Sequence, residues 1–409
     1  MIDSPPDPSR GLPHPLTLEI FMTDNLTFNQ APTVRDSLPS PNRSGVRKEM
    51  EALPKVLQPF LTWVVGVPAT DETLPQPRPR RYLAKVCGLL LLGISLSCWA
   101  LVLQGWGYLW LIVGWSLTVS ASRQLQVVIV HHCAHSNFTG DRFFDQYLGR
   151  WISALMLILS FDQYRIRHRK HHQDPLLDDD ETVEALRLRA GIHPGLSREA
   201  LWRRMIMGLF SPLFHGRFWI DRVRSSLFSS DRAHQLRSGL VVLAQLGLVG
   251  FGQWWLAYGV AWLFPVILLH QMSTLIRQCS EHLHPAPEAD LKKGKRYYAR
   301  ATVGIFLGDP LPRADQPFGI KFWQWCVWWL RLGMLYVPIR LLILVGDTSC
   351  HDYHHRHPGV DQWLNAAIAR QRDVDAHHPG WPVPYQEVYG LWRAIDLSFT
   401  SLSLMSVQE

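Results

Sequence analysis

A chain of 409 residues, 47% of them hydrophobic, can bury a large core, and its 18 tryptophans, 17 phenylalanines and 11 tyrosines suit a protein with wide membrane interfaces. The formal net charge of +7 and pI near 9.2 do not imply nucleic acid, because the basic residues flank apolar segments, as in PRPRRYLAK at 77–85 and RIRHRK at 165–170; the partner they imply is anionic lipid. Six cysteines with no CxxC and no paired spacing exclude a zinc ribbon and a disulfide framework.

Residues 1–80 hold 14 of the 28 prolines and little apolar periodicity, which predicts a disordered, Pro-rich tail. Within it, LPKVLQPFLTWVVGV at 53–67 reads as a short interfacial helix broken at Pro59. Residues 81–398 read as one membrane domain. The apolar block 82–130 divides at Gln104-Gly105-Trp106-Gly107 into spans near 82–103 and 108–130. A second block divides at Gly250-Phe251-Gly252-Gln253 into spans near 236–250 and 254–275. The short connectors carry no charge, and the long segments on the other side are rich in Arg and Lys. This predicts an all-α polytopic membrane protein whose four transmembrane helices form two hairpins entered from the cytosol, beneath a cytosolic helical cap.

ISALMLILSF at 152–161 is too short to span and reads as re-entrant or interfacial. WQWCVWWLRLGMLYVPIRLLILVG at 323–346 is long enough, but Pro338 interrupts it and a charge such as Arg331 or Arg340 at the bilayer centre costs ~2.5 to 3.5 kcal/mol. It is expected to hug the membrane half-buried, and 399–409 to form a C-terminal tail. Arginine outnumbers lysine 33 to 8, as in GC-rich bacterial genomes, so the expected location is a bacterial inner membrane with the site facing the cytosol.

Four histidine clusters fall on that cytosolic side: HHCAH at 131–135, HRKHH at 168–172, QCSEHLH at 278–284 and HDYHH at 351–355. Positions i, i+3 and i+4 share one helical face, so His168, His171 and His172 can meet at one centre, as can His351, His354 and His355. His131 and His135 stand at i, i+4; His132 pairs with His135 at i, i+3, so spacing does not exclude it. A neutral imidazole is a ligand for iron, copper, zinc and nickel. Eight or nine convergent imidazoles exceed one ion's needs, which implies two metal ions with four or five ligands each. Cys133, Cys279 and Cys350 lie beside the clusters as apolar fillers or, less simply, thiolate ligands. His14, His193, His215, His234 and His270 read as ordinary surface or core residues.

HHCAH, HRKHH and HDYHH resemble, in order and in relation to the hairpins, the three histidine boxes of the membrane fatty acid desaturase and hydroxylase superfamily. The resemblance covers roughly 82–398. It implies two non-haem irons, O2 as co-substrate, and His131, His135, His168, His171, His172, His351, His354 and His355 as ligands. RQCSEH at 277–282 is similar to the family's further ligand motif, making His282 the ninth candidate ahead of His284. The second position of the first box is usually acidic in the superfamily, whereas here it is His132, which either takes the acid's supporting role or offers a spare ligand. Asp174, Glu281 and Asp352 are the carboxylates nearest the boxes in sequence and are expected to receive imidazole N–H groups. His377 and His378 lie in a stretch similar to the family's closing cap. His357, beside Pro358, falls past the third box.

The implied activity is fatty acyl desaturation in the membrane, with hydroxylation or ketolation of a lipid, alkane or carotenoid as the alternative. HPGV at 357–360 and HPGW at 378–381 are not the HPGG of a fused cytochrome b5, so an external ferredoxin, rubredoxin or cytochrome is expected to supply electrons. A membrane cytochrome b would place histidines within its spans, and a transporter would line them with polar groups. Arg123, Gln124 and Gln126 are the notable polar cluster in a span here, and their place beside the first box suits support of the site.

Overall fold

The computed structural model describes residues 45–176, 181–284 and 294–405, and they are mostly helical. Three helices are long and apolar enough to cross a membrane: Pro79–Leu103, Arg232–Gly252 and Trp255–Gln278. The expected span 108–130 is also helical, as Trp110–Gln124 followed by a wider π turn, Leu125–Val130. Arg123, Gln124 and Gln126 dilute its apolar character, and it is not among the three. It packs closely on Pro79–Leu103 because both helices place glycine at the crossing. A Cβ on Gly93 would lie 2.7 Å from the Thr118 nitrogen and 2.8 Å from the Gly114 oxygen. Small residues of this kind let two helix backbones approach in lipid.

The polar side of the fold is built from shorter helices. Asp141 caps Arg142–Leu155 by accepting from the Phe143 and Phe144 nitrogens, and Ser160 caps Phe161–Gln173 by accepting from Gln163. The apolar piece 152–161 forms the corner between these helices, with Ile152, Ala154, Met156 and Phe161 buried in the protein core. Phe318–Arg331 runs on through a π turn into Val337–Leu342 without breaking at Pro338, which sits at the start of its last segment. Arg340 is buried there, and its guanidinium donates to the carbonyls of Trp63, Leu344 and Gly346. Phe318, Phe322, Trp323 and Met334 stay exposed.

Two features refine the expected helical fold and move its boundaries. Gly304–Phe306 and Glu387–Tyr389 pair as a two-stranded parallel sheet, with Gly304 opposite Glu387. Glycine suits position 304, where a Cβ would come within 2.9 Å of the Phe306 ring, 3.0 Å of the Asp352 carboxylate and 3.1 Å of the Arg370 guanidinium.

The expected tail up to residue 80 and the C-terminal tail from 399 both contain core. Gly45–Met50 and Gln58–Val65 are helices; Met50, Leu61, Val64 and Val65 are completely buried, and Arg47 is held by Val67, Gln58 and Thr62. Pro59 does not break the second of these helices; it begins it, where a missing N–H costs nothing. At the other end Phe399 and Leu402 are buried in helix Leu391–Ser403. Residues 1–44 with His14, the acidic positions 178–180 and residues 406–409 lie outside the described residues.

Leu61→Ala is expected to cost about 2–5 kcal/mol, as buried leucines do, whereas Val56→Ala at an 84% exposed position should leave the melting temperature unchanged. Thermal unfolding of the two purified variants compares them directly.

Candidate metal centre

Four chain segments deliver histidines to one place. The first box, His131–His135, continues the helix beyond the π turn, which changes the helical phase between Trp110–Gln124 and the box. The second box occupies the last two turns of Phe161–Gln173, and the third fills the short helix His351–Arg356, which ends before His357. His282 comes from extended chain bridged to Thr302, with the Leu283 nitrogen donating to the Ala301 carbonyl at 2.9 Å.

The nine histidines expected as ligands fall into two groups. His131, His135, His168, His172 and His354 form one, and His171, His282, His351 and His355 the other; within each, one donor atom per residue lies within 4.8 Å of the rest. In the first group the Nε2 atoms run in a chain: His131 to His354 at 2.6 Å, His354 to His172 at 3.0 Å, His172 to His168 at 3.1 Å and His168 to His135 at 2.9 Å. In the second, the Nε2 atoms of His351 and His355 are 3.1 Å apart. Both nitrogens of His282 are buried with no hydrogen-bond partner among the described residues.

Burial, followed by the neighbouring imidazoles, holds His168, His172, His282, His351, His354 and His355 well below the ordinary imidazole value. His135 is pushed down to about 3 by the same burial. Neutral rings keep a lone pair, so each group is an all-nitrogen donor set that fits one metal ion.

The surrounding residues divide by role. Tyr164, one turn before His168, stacks on that ring at 5.3 Å, and its hydroxyl lies 3.5 Å from His131 Nδ1. Glu281 Oε2 stands 3.8 Å from His351 Nε2 and 2.7 Å from Arg277. Asp174 ends the second-box helix and accepts from the Leu176 nitrogen at 3.2 Å.

Asp352 departs from the expectation. Its carboxylate receives Nε of Arg370 at 3.0 Å and Nη2 at 2.8 Å, and Arg370 Nη1 reaches Glu387 at 2.8 Å. All three groups are buried. Burial lowers the Arg370 value, but Asp352 and Glu387 outweigh it and hold the guanidinium firmly charged. Asp352 thus anchors the third-box helix to the strand Glu387–Tyr389.

His132 lies flat against Trp363, ring centroids 4.8 Å apart. Its Nδ1 faces Asn137 Oδ1 at 3.1 Å and its Nε2 faces Asp347 Oδ2 at 3.0 Å, while the Asn137 amide nitrogen donates to the Pro358 and Val360 carbonyls. Both ring nitrogens are thus engaged by oxygen atoms outside the two groups, which suits His132 to a supporting place beside the first box. Asp347 supplies the carboxylate that the first box lacks. His132, Asp347 and His354 are close enough to make a third set, which shares His354 with the first group.

Cys133, Cys279 and Cys350 are buried, and burial raises each thiol above its ordinary value, Cys350 to about 12; they pack as fillers. His284 belongs to neither group and is held through its nitrogen by Ser401. His193, His215, His234 and His378 bond to backbone carbonyls, and His357 lies 3.2 Å from Asp373. Tyr164 and Asp347 went unread in the sequence, although Tyr164 stands at i−4 from His168 and Asp347 at i−4 from His351.

A cavity of about 110 Å³ lies between the groups. His131 and His168 of the first and His171 and His351 of the second line it, together with Val127, Val130, Ile158, Leu159 and Tyr164.

Asp352→Ala is expected to cost about 3–5 kcal/mol by leaving Arg370 without its principal partner, read as a drop in melting temperature. Below about pH 6.5 the unfolded chain takes up protons that the buried rings refuse. Metal-free protein should therefore lose stability steadily from there toward about pH 3. A series of melting curves against pH tests this; a flat profile would contradict the burial of neutral rings.

A family model described as "Fatty acid desaturase" matches residues 104–384, which takes in all four histidine segments. A comparison with curated proteins finds no match.

Proposed function

Because the chain belongs to the fatty acid desaturase family, we propose that it is an O2-dependent membrane desaturase that removes hydrogen from an unactivated acyl chain at a di-iron centre. The observation that carries this reading is one cavity lined by imidazoles of both groups and by aliphatic side chains, with Arg123, Arg167, Arg277 and Glu281 as its charged lining. A methylene lodged there is within reach of both groups at once.

His131, His135, His168, His172 and His354 would hold one iron, and His171, His282, His351 and His355 the other. When bound, the pair supplies the O2 activation and oxidising power needed to break a C–H bond. The protein's own part is positional. Val127, Val130, Ile158 and Leu159 give the chain an apolar wall, and that wall keeps water from the reacting carbon. The His132–Asp347 pair, packed on Trp363, fixes the first-box helix against the approach to the third. The Asp352–Arg370–Glu387 cluster fixes the third box itself. Glu281 offers a carboxylate oxygen beside His351 that can hold a proton or steady the ring.

In this reading Trp110–Gln124 is the fourth transmembrane helix, shielded by its partner helix, and the histidine-bearing helices form a cap on the cytosolic side of a bacterial inner membrane. The arginines at 78, 80, 81, 165, 167 and 169 support that orientation. Electrons come from an external ferredoxin, rubredoxin or cytochrome.

Protein purified from iron-replete cells should contain about one iron per histidine group, and His171→Ala should lose the iron of the second group together with all turnover. Mass spectrometry of the host's lipids decides the reaction. Loss of two hydrogens from an acyl chain identifies desaturation, gain of one oxygen identifies hydroxylation instead, and a His171→Ala protein with full turnover would sink the assignment.

A further inference from the structure

Arg123 lies about two helical turns before His131 in the same helix, and its side chain lines the cavity between the histidine groups. The guanidinium is 1% exposed. Nη1 donates to Thr274 Oγ1 at 2.8 Å, whereas Nε and Nη2 are buried without an acceptor among the described residues. Those two atoms form one edge of the guanidinium fork, the edge that takes both oxygens of a carboxylate side by side.

The surrounding charges do not neutralise Arg123. The charged groups acting on it are Arg277 and Glu281, and Glu281 already faces Arg277 at 2.7 Å. Arg123 and a further buried cation, Arg222, both act on His270, which is itself without a hydrogen-bond partner among the described residues. An uncompensated charge in such a place is costly, and an ionisable residue within a membrane helix marks a functional site by default.

We propose that Arg123 is the residue that recognises the substrate, binding its carboxylate through Nε and Nη2, so that a free fatty acid enters the cavity carboxylate first. This rests on the reading of the chain as an acyl-chain oxidase. The cavity's small volume favours a single carboxylate and the first methylenes over a bulky phosphodiester with two chains. The consequence is a ruler that starts at the carboxyl carbon: the oxidised position stays at a fixed count from that carbon as the acyl chain lengthens.

The experiment is binding to the full-length protein in nanodiscs, by displacement of a fluorescent fatty acid with laurate, dodecanol or dodecyltrimethylammonium. Laurate should bind about tenfold or more tightly than dodecanol, with the cationic probe weakest, as a charge-assisted hydrogen-bond pair requires. Arg123→Gln should abolish that preference, and Arg123→Lys should keep part of it. The wild-type ratio needs no variant, so a variant that fails to fold does not blunt the test. Equal binding of laurate and dodecanol, or a preference that persists in folded Arg123→Gln, would overturn the proposal. Binding is read without turnover, so an inactive protein that still prefers laurate would count against the enzymatic reading alone. An active enzyme whose oxidised carbon is counted from the methyl end would count against Arg123 alone.

Discussion

Nine imidazoles can be gathered out of water only if they remain uncharged. A single protonated ring in either group would stand, barely hydrated, against three or four others within 4.8 Å. Burial favours the neutral form, and it crowds ring nitrogens as closely as 2.6 Å between His131 and His354. A divalent cation relieves that crowding where further protons cannot. The folding problem and the chemistry of the site are therefore one problem, and most of the polar half of the molecule exists to hold rings in place that have little attraction for one another.

That holding is done from outside the groups. The first box follows a π turn, which resets its phase after a helix whose own register is fixed by the Gly93 and Gly114 crossing. The third box is a helix of six residues, too short to be stable alone, and its rigidity comes from the buried Asp352–Arg370–Glu387 cluster and from the Gly304 backbone that lets the cluster close. His282 has no helix at all and depends on its bridge to Thr302. Each device is of a different kind, yet all serve the same few ångströms.

The histidines themselves were legible because helical spacing is local, but their division was not: His171 parts from His168 and His172, and His354 from His351 and His355, so the second and third boxes each serve both groups instead of meeting at one centre apiece. The long apolar stretches were legible for the same reason, and helices Arg232–Gly252 and Trp255–Gln278 lie where hydropathy puts them. What escaped was non-local. Nothing near Asp352 in the chain says that Arg370 will take its carboxylate, and nothing near His132 says that Asp347 will meet it from 215 residues away. The segment 45–67 was misread because proline counts describe a chain without its neighbours. Pro59 opens a helix whose Leu61, Val64 and Val65 are covered only once the rest of the fold is present. Tyr164 obeys the same helical spacing as the boxes and escaped because attention rested on histidine alone.

The parallel pairing of Gly304–Phe306 with Glu387–Tyr389 has a temporal meaning as well as a spatial one. A ribosome emits the three boxes in order, and the third is complete at His355. Asp352 is then a carboxylate whose buried partners have not been made, and its helix has no reason to dock. Only when Arg370 and finally Glu387 have left the exit tunnel can the cluster close and the last histidines swing onto the others. The site is thus assembled at the end of synthesis, and a chain truncated before Glu387 would carry every histidine of both groups and still lack the latch that aligns them.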